Sequence, residues 1–197
     1  MSKKTYPSSA EAQLSLGFGN DIPTQRLYFA VVPEPEVCER IGELAEALRS
    51  EHGLQAVLTG EEVPLIILQH IGDFAGVNAR LLGRICQAAR KVQRPAFEVC
   101  FDYVGSLPGD GRYPFALQCG PGADLLLDLQ ADILKAMQPV LGRIRPGLPP
   151  HIPMLTDSRQ VAEQPVQSMR WLVREFVLLR QFLGQDREEL EGIWSLG

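Results

Sequence analysis

The side chains of this chain best suited to moving protons near neutral pH are three histidines, His52, His70 and His151. They stand far apart, so no pair has the spacing of zinc ligands. Cys38, Cys86, Cys100 and Cys119 show no C-x-x-C spacing and sit among apolar neighbours, the pattern of small reduced core residues. No metal and no cofactor is therefore expected. Among the histidines, His151 has the most suggestive setting. It follows the stretch Pro146-Gly147-Leu148-Pro149-Pro150 and opens a short apolar segment running to Thr156. An imidazole at such a junction can serve as a general acid or base, or simply as a structural residue. His52 and His70 read as structural or surface residues. Arg143, Arg145, Arg170, Arg174 and Arg180 could line a phosphate-binding wall or merely solvate a sheet face. Gly120-Pro121-Gly122 precedes a helical segment, and without a fuller glycine motif it reads as a turn.

The elements that must position these groups follow from the apolar spacing. Arg26 to Val32 is a continuous apolar run of strand length, stopped by Pro33. Pro35 opens a helix with Val37, Ile41, Leu44 and Leu48 on one face and Gly53 as its terminator. Val63 to Ile71 is a second strand, closed by Gly72-Asp73 and followed by a helix with Val77, Leu81, Ile85 and Ala89 in register. Phe97, Val99, Phe101 and Tyr103 alternate with polar residues, and Pro114 to Cys119 returns across the turn at Pro108-Gly109-Asp110-Gly111. Leu126, Leu129, Ile133 and Met137 mark a third helix. His151–Thr156 reads as a strand, and Met169–Leu183 with Glu188–Leu196 as two more. This order predicts an α+β fold, with helices laid against antiparallel or mixed sheet.

The chain has 197 residues and a net charge of −5, with 45% hydrophobic and 22% charged residues. That composition excludes a largely disordered chain, and the acidic balance works against non-specific nucleic-acid binding. There is no apolar run of about 20 residues to span a membrane and no secretory pattern, so a soluble, cytoplasmic chain is expected. Residues 1–24 are polar and read as a poorly ordered leader, with Leu14, Leu16 and Phe18 as candidate docking residues. Residues 25–197 read as one domain. Oligomeric state is open.

Several segments together resemble a known family. Gln13-Leu14-Ser15-Leu16 followed by Arg26-Leu27-Tyr28-Phe29-Ala30 is similar to the opening of the bacterial 2′-5′ RNA ligase-like proteins. These are two-histidine phosphoesterases that include RNA 2′,3′-cyclic phosphodiesterases. The stretch ending Ile71-Gly72-Asp73 resembles the first catalytic strand and Pro150–Asp157 the second, with Arg170–Leu178 and Leu183-Gly184 similar to the closing strands. The resemblance implies two pseudo-symmetric lobes, each a small sheet with outer helices, facing across a central cleft. Each lobe would supply a His-x-Thr or His-x-Ser motif. Residues i and i+2 share a strand face, so imidazole and hydroxyl would enter the cleft together. One histidine would take a proton from water and the other give one to the leaving ribose oxygen, without metal.

The sequence departs from that pattern at its centre. Leu65 and Ile67 occupy the first motif, and Pro153 replaces the hydroxyl residue beside the retained His151. On a regular strand, Gln69 shares the face of Leu65 and Ile67 and looks into the cleft, while His70 points away; a β-bulge would reverse that parity. The expected site is therefore His151 as catalytic residue, with Leu65, Ile67, Gln69 and Pro153 around the ligand. A nucleotide or RNA end carrying a phosphate is the implied partner, with activity weak or lost. The alternative is a protein-interaction scaffold whose cleft has closed.

Overall fold

The computed structural model describes residues 22–54 and 64–197. The expected docking residues Leu14, Leu16 and Phe18, and most of the expected leader, lie outside the described residues.

Among the described residues, eight strands and three helices follow one another in chain order: β1 (Gln25–Val31), α1 (Pro35–His52), β2 (Ile66–Phe74), α2 (Ala79–Ala89), β3 (Phe97–Ser106), β4 (Tyr113–Cys119), α3 (Ala123–Leu141), β5 (His151–Asp157), β6 (Gln164–Val173), β7 (Glu175–Phe182) and β8 (Glu188–Ser195). The strands form two four-stranded sheets, ordered β2-β1-β7-β8 and β5-β4-β3-β6. Every pairing is antiparallel. The class is α+β, as the element order predicts.

The local signals explain most boundaries. Pro35 sits at the start of α1, where its missing N–H costs nothing, and Gly53 ends the helix at φ 58°, a left-handed conformation natural to glycine. Asn78 caps α2 by accepting from the Leu81 N–H. The tail differs from expectation. The apolar run from Met169 to Leu183 is not one strand but parts of two, broken at Arg174. β6 pairs with β3 in one sheet and β7 pairs with β1 in the other, so the chain changes sheets at that point. Periodicity is blind to the change, because a buried strand reads alike in either sheet.

One core joins both sheets to the helices. Val37, Ile41 and Leu48 of α1, Ile85 of α2, and Leu126, Leu129, Ile133 and Met137 of α3 pack with Leu27, Phe29, Ile66, Leu68, Phe101, Phe115, Ile152 and Phe176. Phe29, Phe176 and Trp194 pack ring against ring, and Phe101 stacks on Trp171 with centroids 5.0 Å apart. The other face of the first sheet carries a separate small cluster of Tyr28, Ala30, Val177 and Leu179, with Leu65 packed against it. Each sheet therefore has a core face and a second face. Of the residues singled out from the sequence, Leu65 and Ile67 stand on the second face of the first sheet.

Candidate functional site

β2 and β5 are each one of the two edge strands of their sheets, and they pack against each other. Their registers decide where the candidate residues point. In β2, Ala30 pairs with Ile67 but Phe29 pairs with Gln69, so Leu68 is an extra residue, a β-bulge. A second irregularity falls between Leu27 and Tyr28, and makes Ile71 extra. Partners directly opposite in an antiparallel pair share a face. Ile67 therefore stands with Ala30, and His70 with Tyr28, on the non-core face. Gln69 stands with Phe29 in the interior.

The placement of Gln69 and His70 thus corrects the regular-strand reading. Gln69 does not line the surface: it is 1% exposed. Its amide nitrogen donates to the carbonyls of His70 and Arg145, both at 2.8 Å, and its oxygen accepts from the Gly147 N–H at 3.1 Å. It ties β2 to the loop leading into His151. Gln130 of α3 does the same from the other side, donating to the Leu68 and Leu148 carbonyls. Both amides are tethers that fix a proline-rich loop against β2, a role a buried amide fills by satisfying main-chain groups.

His70, in contrast, belongs to the face of Leu65 and Ile67. Its Nε2 lies 2.9 Å from Asp73 Oδ1, and Asp73 is gripped by Arg26 through Nε at 2.8 Å and a terminal nitrogen at 2.9 Å. Arg26 and Asp73 are direct cross-strand partners. The guanidinium holds the Asp73 carboxyl below its usual value, with the His70 bond adding to the effect and partial burial opposing it. Tyr28, beside His70, hydrogen-bonds Glu188 of β8. The bulges that turn Gln69 inward assemble this cluster, and period-two counting contains no signal for them.

Leu65 and Ile67 stay aliphatic at positions where the resemblance implies a histidine and a hydroxyl. Leu65 is half-buried on the Tyr28 cluster, while Ile67 is 41% exposed. Ile67, Ala30, Val177 and Ile193 form a row across all four strands, with Ile193 also exposed.

β5 is built to the same plan. Pro153 pairs with Ala116 and Leu155 with Phe115, leaving Met154 as the bulge. Burial alternates accordingly: His151 half-buried, Pro153 and Thr156 exposed, and Ile152, Met154 and Leu155 in the core. His151, Pro153 and Thr156 thus stand on one face of β5, as Ile67 and His70 do on β2, with Leu65 just before that strand packed on the same face. Thr156 is the hydroxyl that regular spacing missed. His151 Nδ1 lies 2.8 Å from the Pro149 carbonyl, an acceptor, so Nδ1 carries the proton and Nε2 is left as the basic nitrogen. Gln118 is its cross-strand neighbour.

The arginines divide. Arg180 pairs with Glu189 and Glu191, and Arg170 with Glu98. Arg143 and Arg145, on the loop before His151, are exposed and form no ion pair among the described residues. Gly120-Pro121-Gly122 is a packed turn: Gly122 has φ 93°, and a Cβ there would stand 2.6 Å from the Glu98 carbonyl oxygen. The thiols are not activated; burial raises Cys38 and Cys86 and pushes Cys119 up to about 11. Among the described residues no three His, Cys, Asp or Glu side chains gather as metal ligands, and no helix is long and apolar enough to cross a membrane.

No protein-family profile and no curated protein matches the sequence. Solved structures do. TT0787 of Thermus thermophilus superposes with a TM-score of 0.68 at 18% identity, covering 86% of this chain and 97% of that one. Escherichia coli LigT in its apo form gives 0.67 at 22% identity, covering 87% and 97%. LigT complexed with 3′-AMP gives 0.67 at 21%, covering 89% and 99%. Likeness this extensive at such low identity is a likeness of architecture: this chain has the fold of LigT and the related phosphoesterases.

Proposed function

We propose that residues 25–197 form a single LigT-like domain that binds a phosphate-bearing nucleotide or RNA end between the non-core faces of its two sheets. In this reading, two-histidine hydrolysis of a 2′,3′-cyclic phosphate is weak or lost. The observation that carries it is the asymmetry of the paired positions. On β5, His151 is held by the Pro149 carbonyl with Nε2 as the basic nitrogen, and the exposed Arg143 and Arg145 precede it. At the start of β2, the corresponding positions are Leu65, which immediately precedes the strand, and Ile67. A phosphate can still be met by an imidazole and nearby guanidinium groups. For hydrolysis, Nε2 of His151 could take the proton of an attacking water, but Leu65 has none to give the departing ribose oxygen. A positioned acid or base is worth about 10² to 10⁴ in rate, so the loss of one leaves a feeble catalyst. The solved LigT complex with 3′-AMP supports the ligand class. Nothing in this reading calls on a metal or cofactor.

The test is calorimetric titration with 3′-AMP, a 2′,3′-cyclic nucleotide and inorganic phosphate, beside turnover of the cyclic nucleotide. Nucleotide binding that weakens about tenfold or more in His151→Ala, with little or no turnover, is the expected result. Fast hydrolysis abolished by His151→Ala would overturn the claim of lost catalysis. A second reading, an interaction scaffold, is favoured by the aliphatic row Ile67–Ala30–Val177–Ile193 with its exposed ends. Failure of every nucleotide and of phosphate to bind would select it.

A further inference from the structure

The two edge strands bulge at the same offset, and each then presents a third residue on the ligand-facing side: His70 on β2 and Thr156 on β5. Where Leu65, Ile67 and Pro153 have lost hydrogen-bonding capacity, these third positions hold it. We propose that His70 is a ligand-binding residue that takes a ribose hydroxyl, so that the first sheet receives the nucleoside end of the ligand and the second sheet its phosphate. This rests on the nucleotide-binding reading above.

Three observations point the same way. The first is the orientation of the imidazole. Asp73 accepts from His70 Nε2, so the neutral ring offers Nδ1 as an acceptor, and an acceptor requires a donor such as a hydroxyl. The second is preorganisation. Arg26 clamps both oxygens of Asp73, so the group that orients His70 is itself held, and binding need not order it. The third is charge. The guanidinium of this cluster, Arg26, is committed to Asp73, and Glu188 adds a second carboxylate on Tyr28. A phosphate placed here would face carboxylates. Sugar hydroxyls would not suffer that repulsion, and Ile67 beside them offers an apolar wall to sugar carbons or a base face. The exposed arginines Arg143 and Arg145 lie on the loop that leads into His151.

The experiment compares adenosine 5′-monophosphate, its 2′,3′-dideoxy analogue and inorganic phosphate by titration calorimetry on the full chain. The parent should prefer the ribonucleotide over the dideoxy form by about three- to tenfold, the worth of one modest hydrogen bond. His70→Ala should erase that preference while leaving affinity for the dideoxy form and for phosphate unchanged. Should His70→Ala fail to fold, His70→Phe, which keeps a ring but has no acceptor, reads the same quantity. Asp73→Asn, which releases the ring, should reduce the preference without abolishing it. A preference that survives intact in the His70 variant would overturn this assignment while leaving nucleotide binding standing. No binding of any of the three probes by the parent would overturn the nucleotide reading itself, and this assignment with it.

Discussion

Asp73 shows how a short-range contact becomes a property of the fold. Its carboxyl is held below the ordinary 3.8 chiefly by the hydrogen bond from Arg26, with His70 contributing. A carboxylate whose folded pKa is depressed stabilises the fold above its unfolded pKa and loses that contribution as pH falls through the folded value. Asp73→Asn should therefore lower the Tm at neutral pH, and the difference should vanish once the wild-type carboxyl is protonated, well below about pH 4. The pair is part-exposed, so the effect should stay under about 1 kcal/mol. A difference that persists undiminished in acid would show that Asp73 acts through shape rather than charge. Gln69 is the more consequential residue. Replacement by Leu would leave the Gly147 N–H and the Arg145 carbonyl without their buried partner. We expect a loss of about 1–3 kcal/mol in urea denaturation, together with faster amide exchange across the loop before His151. Unchanged exchange there would mean that Gln130 alone secures the loop.

At the scale of elements, the bulges of β2 and β5 are the features with most effect on the site. Each adds one residue to an edge strand, and each changes which later side chains leave the core. The turn before α3 is equally constrained. Gly122 combines φ 93° with a space that a Cβ would invade, 2.6 Å from the Glu98 carbonyl oxygen. Backbone cannot swing aside as a long side chain can, so Gly122→Ala should cost about 2–4 kcal/mol by denaturant unfolding, from backbone strain and the clash together. A cost below about 1 kcal/mol would show that the turn relaxes. Gly53, also left-handed at φ 58°, would meet only the end of the Arg159 side chain, and Gly53→Ala should be the milder change.

For the molecule as a whole, the question is whether the fold can hold the geometry of a two-histidine enzyme. Leu65→His with Ile67→Thr and Pro153→Thr would place a His-x-Thr motif at each of the two edge strands, and Pro153→Thr would also give β5 a further backbone N–H. Ile67 and Pro153 are exposed, so those changes should each cost within about 0.5 kcal/mol. Leu65 packs on Tyr28, Ala30, Val177 and Leu179, and its replacement should cost about 1–2 kcal/mol. The triple variant is expected to fold and to hydrolyse a 2′,3′-cyclic nucleotide measurably faster than the parent. A stable variant with no gain would show that the two motifs alone do not make this fold a catalyst. Collapse of the fold would favour the scaffold reading.

The amino-acid sequence alone determined the α+β class, the three helices, and six of the eight described strands to within a few residues, the segments that become β2 and β5 among them. Apolar periodicity and the Pro and Gly signals carry that information locally, within windows of about a dozen residues. It also displayed the identities of Leu65, Ile67 and Pro153, on which the proposal of weak or lost catalysis rests, because they are legible without coordinates. Only the tertiary structure decided that the run from Met169 to Leu183 divides between two sheets at Arg174, since pairing partners lie far away in the chain. It likewise decided that Gln69 turns inward and His70 outward. One extra residue, Leu68, shifts the parity of Gln69 and His70, and a second, Ile71, restores it for Gly72 and Asp73. Leu68 is accommodated by the strand it faces and by the buried groups Gln69 satisfies, and neither is visible in the spacing of β2 itself.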